Sequence, residues 1–156
     1  MEFTPEIKKA TQPIYQKISK TIPEIEWSTH APYIYEINKL KKEKKAVILA
    51  HNYQTPEIYH GISDFSADSL ALAIEASKTE ADIIVMCGVH FMAETAKLMS
   101  PKKKVLLPDM DAGCSLSSSI TGQDVRNLKK QYPGVPVVSY VNTCLLYTSP
   151  SPRDEQ

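Results

Sequence analysis

Long apolar runs are missing from this sequence: no stretch approaches the roughly 20 residues that a membrane-spanning helix needs, so no membrane role is expected. Charge of one sign is missing too. Lys plus Arg and Asp plus Glu both number 18, which leaves no global field to attract nucleic acid or an anionic membrane. Glycine is scarce, five in all, and neither GxGxxG nor a Walker loop occurs, which excludes a glycine-rich phosphate cradle. The three cysteines, Cys87, Cys114 and Cys144, lie far apart with no CxxC pair and do not read as a secreted disulfide framework. Their spacing alone does not suggest a metal site, although ligation of a metal or cluster stays open. Met1 to Ala10 lacks the apolar stretch of a signal peptide, so a cytoplasmic location is expected.

What is there is ordinary for a globular chain: 42% hydrophobic and 23% charged residues in 156, enough for one domain or one domain plus the start of another. Residues 1–31 read as a helical, partly frayed lead-in broken by Pro5, Pro13 and Pro23. From Pro32 the pattern is regular. Tyr33, Ile34, Ile37 and Leu40 predict a helix over Tyr33–Lys45 that ends in lysines, as the helix dipole favours. Ala46–Ala50, Ala81–Cys87, Lys104–Pro108 and Val135–Val141 are short apolar runs of the kind buried parallel strands show. Between them lie predicted helices opening at Thr55-Pro56-Glu57 and spanning Asp68–Lys78, Phe91–Met99 and Thr121–Tyr132, the last stopped by Pro133-Gly134. Alternation at this spacing predicts an α/β fold, a three-layer αβα arrangement on a short parallel sheet. The first such domain is placed at 32–116 and the start of a second, incomplete one at 117–143.

In open α/β sheets ligands bind beyond the carboxyl ends of the strands. Those ends carry His51-Asn52-Tyr53-Gln54, Gly88 to Met92, Asp109 to Ser115, and Tyr140 to Thr143. His51 can be an acid or base, an anion donor, a metal ligand, or a local turn-former. Tyr53 can bring its hydroxyl to the same place or pack on the next helix. Ser69 competes with Ser63, Asp64, Ser66 and Asp68 for the N-cap of its helix, where free amides and a hydroxyl could also hold a carboxylate. Cys87 ends an apolar strand and reads as a small buried hydrophobe, whereas Cys114 sits in a polar loop open to a ligand or cluster. The 114–122 segment could bind phosphate through hydroxyls and amides.

Taken in order, ILAHNYQ, ISDFSADSLALA, ADIIVMCGVHFMAETAKLMSP, KVLLPDMDAGCSLSSS and VVSYVNT resemble the quinolinate synthase family over about residues 32–143. The resemblance implies three similar αβα domains around a central site, each giving one cysteine to a 4Fe–4S cluster. It implies condensation of iminoaspartate with dihydroxyacetone phosphate to quinolinate in NAD biosynthesis, with L-aspartate oxidase supplying the iminoaspartate. Carried over by motif, Cys114 becomes a cluster ligand and Cys87 does not. His51 and Ser69 bind substrate carboxylates, Tyr140, Val141 and Asn142 line the same pocket, and Tyr53 assists proton transfer. Ala67 stands where the family usually has glycine. After Thr143 the resemblance stops, and 144–156, Cys144 included, reads as translated sequencing-adapter sequence, so the second and third cluster cysteines are not in this chain. The competing expectation is a non-catalytic α/β module that binds a small dicarboxylate or phosphate.

Overall fold

The computed structural model describes residues 1–138. Four parallel strands form one sheet in the order β2-β1-β3-β4: β1 Ala46–His51, β2 Phe65–Ala67, β3 Ile83–Cys87 and β4 Lys104–Leu106. Six α-helices accompany them: α1 Pro5–Ile18, α2 Glu24–Glu43, α3 Pro56–Gly61, α4 Ser69–Lys78, α5 His90–Met99 and α6 Gly122–Gln131.

Strand alternation divides the core into two faces. Leu49 of β1 and Ile84 and Met86 of β3 point to one side, where they meet Leu72 and Ala76 of α4 and Phe91, Met92 and Ala96 of α5. Ile48, Ala50 and Cys87 point to the other, under Ile58 and Ile62. The expected three-layer αβα arrangement is therefore present.

The amino-terminal helices differ from expectation. Residues 1–31 are helical, as expected, but Pro13 lies inside α1 rather than interrupting it, and the helices pack around a core of their own. Thr4 caps α1 through its side chain, and α1 and α2 enclose a second core of Ile18, Ile22, Trp27, Ala31 and Ile34. The helix expected to start at Tyr33 starts at Glu24 and runs through Pro32. Proline lacks the amide for one helical bond, but Pro32 is fully buried beside Trp27 and Ala31, and packing on that face outweighs the missing bond.

Two further differences concern strands. β2 was not expected, because a three-residue strand set among Ser63, Asp64, Ser66 and Asp68 has no apolar run to reveal it. The strand expected at Val135–Val141 falls partly outside the described residues. Its described part, 135–138, is not in a strand, and Val138 is 94% exposed, since no described strand lies beside it. Gly134 ends the α6 segment with a positive φ of 79°, a conformation that glycine adopts without a steric penalty.

Candidate functional site

Connections leave β1 and return on opposite sides. From β1 the chain passes through α3 to β2 at one edge, then through α4 to β3 on the other side of β1. The crevice where the strand order reverses lies beyond the carboxyl ends of β1 and β3. His51 and Tyr53 enter it from β1, and Gly88 and Val89 from β3.

Register fixes the neighbours of His51. It pairs with Ala67, and the Asn52 amide donates to the Ala67 carbonyl at 3.1 Å, so the start of α4 opens beside the imidazole. Of the candidate caps, Asp68 is the one used: its carboxylate accepts from the Ala71 amide at 2.9 Å. Ser69, the first residue of α4, is left out of the cap and half-buried. Partial burial holds the His51 pKa below the usual imidazole value, opposed by the Asp68 charge. The Tyr53 amide donates to His51 Nδ1 at 3.4 Å, which puts the proton of the neutral ring on Nε2. The neutral His51 ring thus offers Nε2–H as a donor.

The ring of Tyr53 lies with its centroid 4.0 Å from that of His51, tilted by 40°. Burial raises its pKa, as does the charge of Cys114, while a hydrogen bond from the Val89 backbone lowers it. The phenol thus lies at the ends of two strands and within the field of the Cys114 thiol.

Cys114 is brought to this place by backbone bonds. The His90 amide donates to Ala112 O at 2.8 Å, fastening the 109–114 loop to the start of α5. The chain then turns, with the Ser118 amide and Ser117 hydroxyl donating to the Cys114 carbonyl at 3.0 and 2.9 Å. The Ser117 amide above all holds the thiol pKa below its ordinary value against the opposing effect of burial, with the Leu116 amide and Ser117 hydroxyl adding lesser support. Cys87 is its opposite: 8% exposed, on the α3 side of the sheet, and raised in pKa by desolvation. Of these two, Cys114 is the one that suits a thiolate ligand.

The structure thus brings His51, Tyr53, Ser69 and Cys114 to one end of the sheet. Tyr140, Val141, Asn142 and Cys144 lie outside the described residues. Among the described residues no three His, Cys, Asp or Glu side chains converge as a metal site, so Cys114 can offer one thiolate and no more. The Val89 amide and the Ser117 donors were not anticipated. Backbone groups leave no residue-type signal, and Ser117 was hidden in a run of similar serines.

The sequence profile of the quinolinate synthetase A protein family matches residues 35–146. A quinolinate synthase of Caulobacter vibrioides is 62% identical over 141 residues, covering 90% of this chain and 38% of the relative. One from Sinorhizobium medicae is 60% identical over 143 residues, covering 92% and 40%. One from Xylella fastidiosa is 63% identical over 110 residues, covering 70% and 32%. The chain spans between 32% and 40% of the length of these relatives. Among the described residues no helix is long and apolar enough to cross a membrane.

Proposed function

The chain belongs to the quinolinate synthetase A family, and on that premise we propose that the complete polypeptide condenses iminoaspartate with dihydroxyacetone phosphate to quinolinate, with this chain forming one wall of the site. The observation that carries the reading is the His51–Tyr53 ring contact beyond the end of β1, with Cys114 near enough for its charge to act on the phenol.

His51 Nε2–H, the Ser69 hydroxyl and the first-turn amides of α4 that Asp68 leaves open donate to the carboxylates of iminoaspartate. Asp68 beside His51 favours its protonated form, which strengthens that contact once a dicarboxylate arrives. Tyr53, raised in pKa, stays protonated at neutral pH and enters as a proton donor. The Val89 backbone amide acts on its hydroxyl in the opposite sense, lowering the pKa. Tyr140, Val141 and Asn142, outside the described residues, are proposed as further substrate-binding residues.

Cys114 fits one ligand position of a 4Fe–4S cluster, because amides stabilise its thiolate and the loop leaves it partly open. When bound, such a cluster supplies an iron that polarises oxygen or nitrogen on the substrate. Two further thiolates come from the remainder of the longer polypeptide. The reaction class is a transferase, the compartment the cytoplasm, and L-aspartate oxidase supplies the iminoaspartate.

A second reading is favoured by the single thiolate: taken alone, the chain is an α/β module that holds a small dicarboxylate without catalysis. The test is to complete the chain with the remaining sequence of the Caulobacter vibrioides relative, reconstitute it anaerobically, and follow iron-dependent absorbance and quinolinate. Cys114→Ser is expected to lose both. A variant that keeps both rejects the assignment.

A further inference from the structure

Glu94, in the middle of α5, is 8% exposed, and neither of its carboxylate oxygens has a hydrogen-bond partner among the described residues. His90, one turn earlier, brings Nε2 to 3.8 Å from Oε1, outside hydrogen-bonding distance. A carboxylate withdrawn from water without hydrogen-bond donors is unfavourable, and the described residues bring only the more distant His90 imidazole to it.

The carboxylate borders a cavity of about 360 Å3 between α5 and β4, whose walls include Ala93, Val105 and Leu107. Two lysines also line it. Lys97 is occupied elsewhere, donating to the Pro101 and Lys103 carbonyls at 3.0 and 2.7 Å. Lys104 stands on β4, the edge strand of the sheet. Around the cavity Leu98 and Met110 are 60% and 63% exposed, an apolar rim on an open edge.

We propose that this cavity receives an arginine side chain from the part of the longer family polypeptide that this chain does not span. Two oxygens without a hydrogen bond among the described residues match the two parallel N–H groups of a guanidinium, which a lysine cannot reproduce. The apolar walls suit an arginine stem. The exposed rim requires a protein surface to cover it rather than a free solute, and relatives carry more than half of their length beyond this chain.

The test uses the 156-residue chain with 13C-labelled glutamate, following the Glu94 carboxyl resonance by NMR as butylguanidinium is added. A saturable shift is expected with butylguanidinium and none with butyltrimethylammonium, which has no N–H to donate. Glu94→Gln, checked for folding by its amide spectrum, should lose the response at its neighbours. Leu98→Trp, which narrows the mouth, should weaken binding with Glu94 intact. Absence of saturation, or an equal response to butyltrimethylammonium, would overturn the proposal. So would movement of the Glu94 resonance in Lys104→Ala without any probe, since Lys104 would then already supply the charge. In the chain completed with the Caulobacter vibrioides sequence, Glu94 should resonate at its bound position and exclude butylguanidinium. Continued binding there would mean a free-cation pocket and no arginine. None of these readouts involves quinolinate, so their failure is separate from failure of the proposed activity.

Discussion

Asp64 and Ile48 exchange two hydrogen bonds: the Asp64 amide donates to the Ile48 carbonyl at 2.9 Å, and the Ile48 amide donates to Asp64 Oδ2 at 2.8 Å. Lys41 of α2 holds the other carboxylate oxygen at 2.8 Å. The pair stands one step before the Leu49–Phe65 pairing, so it sets the register that ends with His51 against Ala67 and α4 beside the imidazole.

Asp64→Ala is therefore expected to cost about 1–3 kcal/mol, the range for losing a charged partner of a partly buried amide. It should also broaden amide signals of β2 and the first turn of α4. Urea unfolding and an amide spectrum check this. A stability change within error and unmoved signals at Ser66 to Leu70 would count against the register lock.

The two described cysteines should differ in reactivity. In a Cys144→Ser background, iodoacetamide at neutral pH is expected to modify Cys114 first, its thiolate being favoured by the Ser117 and Leu116 amides. Cys87, buried and raised in pKa, should react only on unfolding. Peptide mapping against time decides it, and equal rates would contradict the assignment.

His51 gives a pH dependence whose sign is fixed. Its pKa is lower in the folded chain than the ordinary value near 6.5. The unfolded chain therefore binds more protons between those two values, and stability falls as pH drops through that window. Dicarboxylate binding runs the other way, because it favours the imidazolium. Affinity for L-malate should rise as pH falls below about 7, by up to about tenfold per pH unit, the limit for uptake of one proton. His51→Gln should flatten the profile, and an unchanged slope in that variant would remove His51 from the binding step.

Trp27 is the single tryptophan, 2% exposed and stacked on Tyr15 with ring centroids 5.3 Å apart. Its fluorescence reports the docking of α1 on α2. Deleting residues 1–22 should shift emission to the red, and Trp27→Ala should cost about 3–5 kcal/mol, as large-to-small changes in a core do. Blue-shifted emission retained after the deletion would show that α1 is dispensable for this core.

The α6 helix should be the first to open. Only Gly122 and Val125 of it are buried, although Thr121 and Asp124 form a full capping box. Its amides are expected to exchange well before those of α4 and α5, which share the main core. Equal protection across the three helices would refute this.

Much of this arrangement was legible from residue types. Leu49, Ile84 and Met86 stood in short apolar runs, which only buried parallel strands tolerate, and Cys114 stood apart from Cys87 because one loop was polar and one strand was not. Three things were hidden. Pro32 read as a boundary because a missing amide is local information, while the packing that outweighs it is not. β2 is too short to have a period, and it exists because Asp64 pairs with Ile48. The donors around Tyr53 and Cys114 are largely backbone groups, and a sequence does not spell those.

The crossed connections of the sheet have a consequence in time. Every described strand that carries the site is complete by Leu106, and the loop bearing Cys114 follows at once. Synthesis proceeds at about 5–20 residues per second and domains tend to fold as units, amino-terminal first. The wall of the crevice can therefore stand on the ribosome with its one thiolate presented, seconds before the polypeptide that would supply the others has emerged. An exposed edge strand and a buried carboxylate left open in that interval would be the surfaces onto which the later chain folds.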